Sequence, residues 1–226
     1  PAAIIVEPII SAGGVLVPPK CYIEGLRKAA DERGMLLIFD EAQTAFGRIG
    51  TRTGAEYFGV TPDIMSVSKT LGGGLPLAGV ITTDKIEETI HARGFNYYTS
   101  HVSDPLLAMV GLAVLDTLED EDLLTRSKTM GAYLRGRMED LQQKYEAIGD
   151  IRGAGMLLGI EPHHELGEIT TKKCYEYGLS MNIKRRKERG SVWRIAPPLT
   201  ISEAEIDRGI EILDRSLRES LDELAN

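Results

Sequence analysis

The N-terminal part of the chain alternates short apolar runs with polar or glycine-punctuated stretches. Residues 22–33 place apolar side chains at helical spacing and stop at Gly34, which predicts a helix. The apolar runs around this segment have the length of buried strands. They cover residues 3–6, 35–39, 63–67 and 77–81. In this order, the elements predict an open, largely parallel sheet of the α/β class.

The C-terminal part carries longer helical patterns. These cover residues 104–118, 123–145 and 200–221, and three strand-like runs cover residues 149–161, 178–183 and 191–197. The predicted N-cap of the last helix is Thr200 or Ser202. Glu203 and Glu205 follow in its first turn, where carboxylates favour the helix dipole. This part therefore predicts a small α+β domain.

The pattern changes near residues 115–120, and we expect two domains, 1–117 and 118–226. The chain opens at Pro1, without Met, inside an apolar run that has the pattern of a core strand already under way. Domains rarely begin within a core strand. We therefore expect this chain to be the C-terminal part of a longer protein.

Composition narrows the class of partner. The chain has a net charge of −8 and no basic block interleaved with aromatic residues, so we expect no nucleic-acid partner. The basic stretch IKRRKERG, residues 183–190, is predicted to be a solvated turn. No apolar run reaches the roughly 18 residues of a membrane helix, so we expect no membrane partner. The two cysteines are far apart, which suits a reducing compartment, and we expect a cytoplasmic protein.

The stretch MLLIFDEAQ ends a predicted strand in two acids. In one class of ATPase, acids at such a position hold magnesium, but that class also needs a glycine-rich loop ending in Gly-Lys-Ser/Thr. This chain has no Gly-Lys dipeptide, and in SKTLGGG the lysine precedes the glycines. An ATPase is therefore disfavoured, and Asp40 is better explained as the partner of another ligand.

Asp40 and Lys69 both come directly after apolar strand runs. In an open α/β sheet, ligands bind at the carboxyl ends of the strands, so both side chains would face one crevice. A carbonyl cofactor would use the Lys69 amine as a Schiff base. Asp40 against a pyridine nitrogen would keep that nitrogen protonated. A simple Asp–Lys ion pair fits the same spacing, and spacing alone does not separate the two.

Two blocks of sequence carry a resemblance to a known family: FDEAQTAFGR and PDIMSVSKTLGGGLPLAGV. They resemble the class III aminotransferases, which use pyridoxal 5′-phosphate (PLP) and have fold type I. The resemblance covers essentially the whole chain. It implies the second half of the large-domain sheet, in residues 1–117, followed by the C-terminal small domain.

The resemblance implies a role for five residues. Lys69 would be the catalytic lysine that carries the cofactor, Asp40 would pair with its pyridine nitrogen, and Gln43 would bond to its phenolic oxygen. Arg194, in WRIAPPLT, would bind the substrate carboxylate through its guanidinium fork. Ser100 would reach the PLP phosphate of a neighbouring subunit. This last role implies a homo-oligomer with its active site at the dimer interface, acting on amino acids and keto acids.

Two further carboxylates lie at predicted strand ends. Glu7 ends the first strand, and the resemblance places it near the site, while a purely structural role fits it equally well. Glu41 follows Asp40 and would point the other way along the strand end. We expect Glu41 to be structural.

Within the family, three stretches are most similar to the 2,2-dialkylglycine decarboxylases: YYTSHVSDPLLA, YGLSMNI and WRIAPPLT. This implies decarboxylation-coupled transamination of 2,2-dialkylglycines, such as 2-aminoisobutyrate, with pyruvate as amino acceptor. It also implies a K⁺ or Na⁺ site formed by Ser100, Val102 and Asp104, while Asp104 fits an N-cap of the next helix equally well. The alternatives are an ordinary class III ω-aminotransferase and an inactive fragment or binding domain lacking the N-terminal half.

Overall fold

The computed structural model describes residues 1–163, 165–186 and 190–225, and the chain forms two compact units. The first unit comprises Pro1–Ile9, Pro18–Gly47 and Thr51–Leu124. The second unit comprises Ile10–Val17, Arg48–Gly50 and the chain from Thr125 onward. Two short segments of the N-terminal half therefore belong to the second unit. The division into domains 1–117 and 118–226 stays a prediction.

A four-stranded sheet organises the first unit. Its strands, in spatial order, are β1 (Ala3–Val6), β2 (Leu36–Asp40), β3 (Ile64–Val67) and β4 (Gly79–Thr82). The first three are parallel, and β4 runs antiparallel to β3. The predicted α/β class with a largely parallel sheet is confirmed, and β1 has the predicted bounds.

Helices accompany this sheet. They are α1 (Lys20–Glu32), α2 (Gly54–Phe58), α3 (Asp84–Ala92) and α4 (Pro105–Asp120), with a 3-10 helix at Lys69–Gly72. Helix α1 packs on β1 and β2 and buries Ile23 and Ala30. It ends before Gly34, which has a φ of 62° that few other residues adopt easily. Helix α4 packs against the 3-10 helix.

The second unit contains an antiparallel sheet with strand order β5-β6-β8-β7. These strands are β5 (Ile148–Ala154), β6 (Leu157–Pro162), β7 (Asn182–Arg186) and β8 (Gly190–Ile195). The helices are α5 (Leu123–Lys144), α6 (Leu166–Glu176) and α7 (Glu203–Ala225). Helix α6 packs against α7 and against β6, β7 and β8. Trp193, Met156 and Leu157 are fully buried in this core.

Two strand predictions in this part are wrong. The single strand predicted over residues 149–161 is a hairpin of β5 and β6, because Gly155 adopts a left-handed φ of 50° and the chain reverses there. The strand predicted over residues 178–183 begins only at Asn182. Helix α6 ends at Glu176, and Gly178, with a φ of 89°, follows two residues later.

The remaining predictions concern the segments around β7 and α7. The turn predicted over residues 183–190 is wrong for residues 183–186, which belong to β7, and residues 187–189 lie outside the described part. Ser202 is the N-cap of α7: Glu205 N–H donates to Ser202 Oγ at 3.2 Å, and Ser202 N–H donates to Glu205 Oε2 at 2.8 Å. Within the described ranges, no helix combines the length and apolar character that a membrane crossing requires.

Candidate active site

Three parallel strands end at one edge of the first sheet, and each end carries a charged residue. Glu7 follows β1, Asp40 is the last residue of β2, and Lys69 comes two residues after β3. The register of these strands puts their ends side by side. This is the edge at which open α/β sheets bind ligands.

Asp40 presents one carboxylate oxygen to the protein and leaves the other open. Its Oδ1 accepts a hydrogen bond from the Ala42 backbone N–H at 3.1 Å and another from the Ser66 hydroxyl at 3.0 Å. Among the described residues, no donor bonds to Oδ2, and no cation pairs with the carboxylate. Because Asp40 is only half-buried, a ligand N–H group can approach Oδ2.

The neighbouring acid, Glu41, is fully buried and supports the fold. Its Oε2 accepts hydrogen bonds from the Gly54 N–H at 2.7 Å and from the Thr44 hydroxyl, and its Oε1 accepts one from the Ala55 N–H at 2.8 Å. The two N–H groups belong to the first turn of α2, where backbone donors lack partners within the helix. These contacts give Glu41 the structural role that was expected for it.

Lys69 is exposed, and its amine forms no hydrogen bond or ion pair with any described residue. The simple ion pair with Asp40, which fits the sequence spacing, is therefore not formed. Lys69 has a φ of 51°, which is uncommon for a residue other than glycine. Backbone strain of this kind persists only where the surrounding structure enforces it, and it clusters at active sites.

Gln43 lies in the turn that follows β2. It is half-buried between Ala42 and the buried Thr44, and its side-chain amide makes no hydrogen bond within the described residues. Both amide N–H donors are therefore available to a ligand at the same end of β2 as Asp40.

Ser100, Val102 and Asp104 lie in the segment before α4. Ser100 and Val102 are exposed, while Asp104 is the N-cap of α4, with its Oδ1 accepting the Leu106 N–H at 3.4 Å. Asp104 Oδ2 lies 3.5 Å from His101 Nδ1. The helix-capping role of Asp104 is therefore present, and cation binding by the three residues stays a prediction. The described part of the chain contains no group of three or more His, Cys, Asp or Glu that could hold a metal.

Arg194 belongs to the second unit and lies on β8. Strand alternation buries Trp193, whose indole N–H bonds to Thr171 Oγ1 at 2.9 Å, and turns Arg194 to the opposite face. There Arg194 Nη1 donates to Ser11 Oγ at 3.3 Å, and no described carboxylate pairs with the guanidinium. Arg194 also borders a mostly apolar cavity of about 350 Å³. A half-buried guanidinium with no partner carboxylate is suited to binding one from a ligand.

Arg48 fixes the chain directly after β8. Its Nη1 donates to the carbonyl oxygen of Pro197 at 2.5 Å and to that of Met156 at 3.4 Å. Burial lowers the pKa of the Arg48 guanidinium from its usual value. Arg48 therefore supports the end of the strand that carries Arg194, a role that the sequence pattern did not reveal.

Two serines that contact the candidate site residues were also missed. Ser66 bonds to Asp40, and the fully buried Ser11 bonds to Arg194. The available signal for Ser66 is weak: it is a polar residue inside the apolar run IMSV. Ser11 has no comparable signal, because its contact spans 183 positions of sequence.

The contacts of the first unit fit the cofactor that the resemblance implies. The unpaired Lys69 amine suits a carbonyl group, and the open Oδ2 of Asp40 suits a protonated ring nitrogen. The free amide of Gln43 suits a phenolic oxygen. Asp40 and Gln43 lie at the end of β2, and Lys69 lies just beyond the end of the neighbouring strand β3.

Comparison with known proteins gives a consistent result. The family model for class-III aminotransferases matches residues 1–217. An uncharacterised aminotransferase of Schizosaccharomyces pombe is 44% identical over 96% of this chain and 50% of its own length. A leucine/methionine racemase of Thermococcus litoralis is 35% identical over 96% of this chain and 49% of its own length. A Bacillus anthracis aminotransferase structure superposes with a TM-score of 0.91 at 30% identity, covering 96% of this chain and 52% of that one. The chain thus spans about half the length of the curated relatives it matches.

Proposed function

The chain belongs to the class-III aminotransferase family, and we propose that it supplies the lysine and the aspartate of a PLP-dependent active site. PLP is the cofactor of that family. One observation carries the proposal. Asp40 and Lys69 lie at the ends of neighbouring parallel strands at one edge of a sheet, and among the described residues nothing donates to Asp40 Oδ2 and nothing pairs with the Lys69 amine.

Three side chains of the first unit act on the cofactor or the substrate. When bound, PLP supplies a ring that accepts the electron pair left on the substrate α-carbon. Asp40 Oδ2 accepts a hydrogen bond from the ring N–H, which keeps the nitrogen protonated. The Lys69 amine takes and returns a proton at the substrate α-carbon or at the adjacent cofactor carbon, as a general base and acid. Gln43 donates its amide N–H to the phenolic oxygen and so orients the ring.

In the second unit, Arg194 binds the carboxylate of the amino acid or keto acid. Its guanidinium fork matches a carboxylate through two parallel hydrogen bonds. Support comes from its contacts: only the Ser11 hydroxyl bonds to it in the described part of the chain, at 3.3 Å. The remaining N–H groups are available to a substrate.

For the reaction itself, we propose decarboxylation-coupled transamination. A 2,2-dialkylglycine has no hydrogen on its α-carbon, so the bond to the carboxylate breaks and its electron pair stays behind. 2-Aminoisobutyrate and pyruvate then give CO₂, acetone and alanine, with the amino group passing from one substrate to the other. The support is the likeness of SHVSDP and its neighbouring stretches to the 2,2-dialkylglycine decarboxylases.

An ordinary class III aminotransferase is the second candidate. It is favoured by the relatives, since the most similar one reported above is described as an aminotransferase. Such an enzyme breaks the α-carbon to hydrogen bond and releases no CO₂. The two candidates share the roles given above for Asp40 and Gln43 and the use of Lys69 as the proton carrier. In the decarboxylase, Arg194 holds the carboxylate of the keto acid, because the carboxylate of the 2,2-dialkylglycine departs as CO₂.

Two parts of the proposal concern the segment before α4. We propose that a K⁺ or Na⁺ ion binds the side chain of Asp104 and oxygens of Ser100 and Val102. We also propose a homo-oligomer in which Ser100 reaches the PLP phosphate of the neighbouring subunit. The exposure of Ser100 and Val102 supports both, because it leaves these groups accessible.

The test uses the full-length product of the native gene with PLP, potassium, 2-aminoisobutyrate and pyruvate. We expect CO₂, acetone and alanine in equal amounts, and no product from Lys69→Ala. Lys85→Ala, at an exposed lysine on α3, is the matched control and should be as active as the wild type. Exchange of potassium for a bulky organic cation should lower the rate if the alkali-metal site exists.

The product pattern separates the candidates. Transamination without release of CO₂ would identify the enzyme as an ordinary class III aminotransferase. Interconversion of amino-acid enantiomers without amino transfer would indicate a racemase, like the relative from Thermococcus litoralis. Retention of all three products by Lys69→Ala would disprove the assignment of the catalytic lysine.

A further inference from the structure

Ser66 and Asp40 face each other across neighbouring parallel strands. They are register partners in β3 and β2, so their side chains project from the same face of the sheet. Phe39, one residue earlier, projects from the other face and is fully buried. Backbone pairing therefore holds the Ser66 hydroxyl within 3.0 Å of Asp40 Oδ1.

Two donors converge on the same oxygen of Asp40. The Ser66 hydroxyl approaches Oδ1 from the neighbouring strand, and the Ala42 N–H approaches it from the following turn at 3.1 Å. Together they restrain rotation of the carboxylate group, because both bonds are lost if the group turns. Oδ2 is then the oxygen that faces a ligand, and no described residue donates to it.

We propose that Ser66 is a positioning residue that sets the direction in which Asp40 offers Oδ2 to the ring nitrogen of the cofactor. The proposal rests on the proposed function, since it requires Asp40 to face that nitrogen. Ser66 itself does not touch the cofactor. Without its hydroxyl, the Ala42 N–H alone holds Oδ1, and the Asp40 carboxylate is free to rotate away from the ring N–H.

The experiment compares the affinity of the protein for PLP and for 1-deaza-PLP, in which a C–H group replaces the ring nitrogen. A contact between Asp40 and the ring N–H strengthens the binding of PLP alone. The ratio of the two dissociation constants therefore reports this contact, while the link to Lys69 contributes to both. Both constants are measured by fluorescence on the full-length product of the native gene, without substrates.

The informative variants are Ser66→Thr and Ser66→Val, which have nearly the same shape and differ in the hydroxyl group. We expect Ser66→Thr to keep the wild-type ratio of the two dissociation constants. In Ser66→Val and in Ser66→Ala, the preference for PLP over 1-deaza-PLP should fall roughly tenfold. A tenfold loss corresponds to about 1.4 kcal/mol at 25 °C. Ser68→Ala is the control, since Ser68 makes no capping hydrogen bond and should behave as the wild type.

Three results would overturn the proposal. The first is an unchanged preference in Ser66→Val. The second is an equal loss of affinity for both compounds, which indicates a purely structural serine. The third is equal affinity of the wild-type protein for PLP and 1-deaza-PLP. That result would mean that Asp40 does not contact the ring nitrogen, and it would contradict the proposed function as well.

Discussion

The two compact units differ in how completely they bury their apolar side chains. Of the nineteen large apolar side chains exposed in the described part of the chain, fifteen belong to the first unit and four to the second. On α4, Leu106, Met109 and Leu112 are 65%, 69% and 61% exposed. In the second unit, Trp193 and Met156 are completely buried.

This difference in burial predicts where substitutions will affect stability in each unit. The second unit has a well-buried core, so changes in its interior should have the largest effects on stability. The first unit leaves apolar side chains of β4 and α4 exposed to an extent that usually marks contact with another surface. Changes on that exposed face should matter little to the chain unless something covers it.

The largest effect is expected for Gly131→Ala, in the interior of the second unit. A Cβ at Gly131 would overlap the backbone of Gly155, in the turn between β5 and β6. Backbone atoms move less easily than side chains, so we expect a loss of about 3 kcal/mol in the free energy of unfolding. Urea denaturation measures it.

The matched control lies on the same helix. Gly136 is also inside α5, and a Cβ there meets no atom within 4 Å. Gly136→Ala should therefore raise the free energy of unfolding by about 0.5 to 1 kcal/mol, because alanine favours the helix. Equal losses of stability in both variants would mean that overlap with the Gly155 backbone is not the cause of the loss in Gly131→Ala.

A smaller, pH-dependent effect is expected for Asp63→Asn in the first unit. Burial acts to raise the pKa of Asp63, but the Leu37 N–H at 2.7 Å and the Arg27 guanidinium at 2.8 Å outweigh it and lower the pKa. A carboxylate with a lowered pKa stabilises the fold above its unfolded pKa of about 3.9, and this contribution is lost as the pH falls through the folded pKa. We expect Asp63→Asn to cost about 1 to 2 kcal/mol at pH 7.

Unfolding by urea at several pH values between 7 and 3 tests this. The difference between the wild type and Asp63→Asn should be constant above about pH 5 and shrink below about pH 4. Asp31→Asn is the control, because Asp31 pairs with the same Arg27 at 2.7 Å but is 64% exposed. It should cost less than about 0.5 kcal/mol. A difference for Asp63→Asn that grows on acidification would contradict the sign of the pKa shift.

The sequence predicts those parts of the fold whose pattern is local. The β-branched apolar run at residues 3–6 ends at Glu7 and Pro8, and the strand has the predicted bounds. The β5–β6 hairpin was predicted as one strand, because the reversal depends on the left-handed φ of Gly155 and leaves the apolar pattern unbroken. Helix α3 was not predicted: its large apolar residues are Ile86 and Ile90 alone, and none of its residues is buried.

The candidate site divides in a similar way. Asp40 and Lys69 follow from apolar runs that end in charged residues, together with a motif that resembles a known family. Ser66 could not be found in this way, because its bond to Asp40 depends on the register between β2 and β3. Register is fixed by pairing in three dimensions, and no local run of sequence contains it.

The smallest effect is expected on the exposed face of α4, where it tests the contrast between the units directly. Leu112→Ala should cost less than about 0.5 kcal/mol, because a side chain that is 61% exposed loses little by truncation. Leu118→Ala, on the same helix at 7% exposure, should cost about 2 to 3 kcal/mol, because it leaves a cavity. Both are measured by urea denaturation at low protein concentration. A cost for Leu112→Ala that approaches that for Leu118→Ala would show that another surface covers this face of α4 in solution, and would remove α4 from the contrast between the two units.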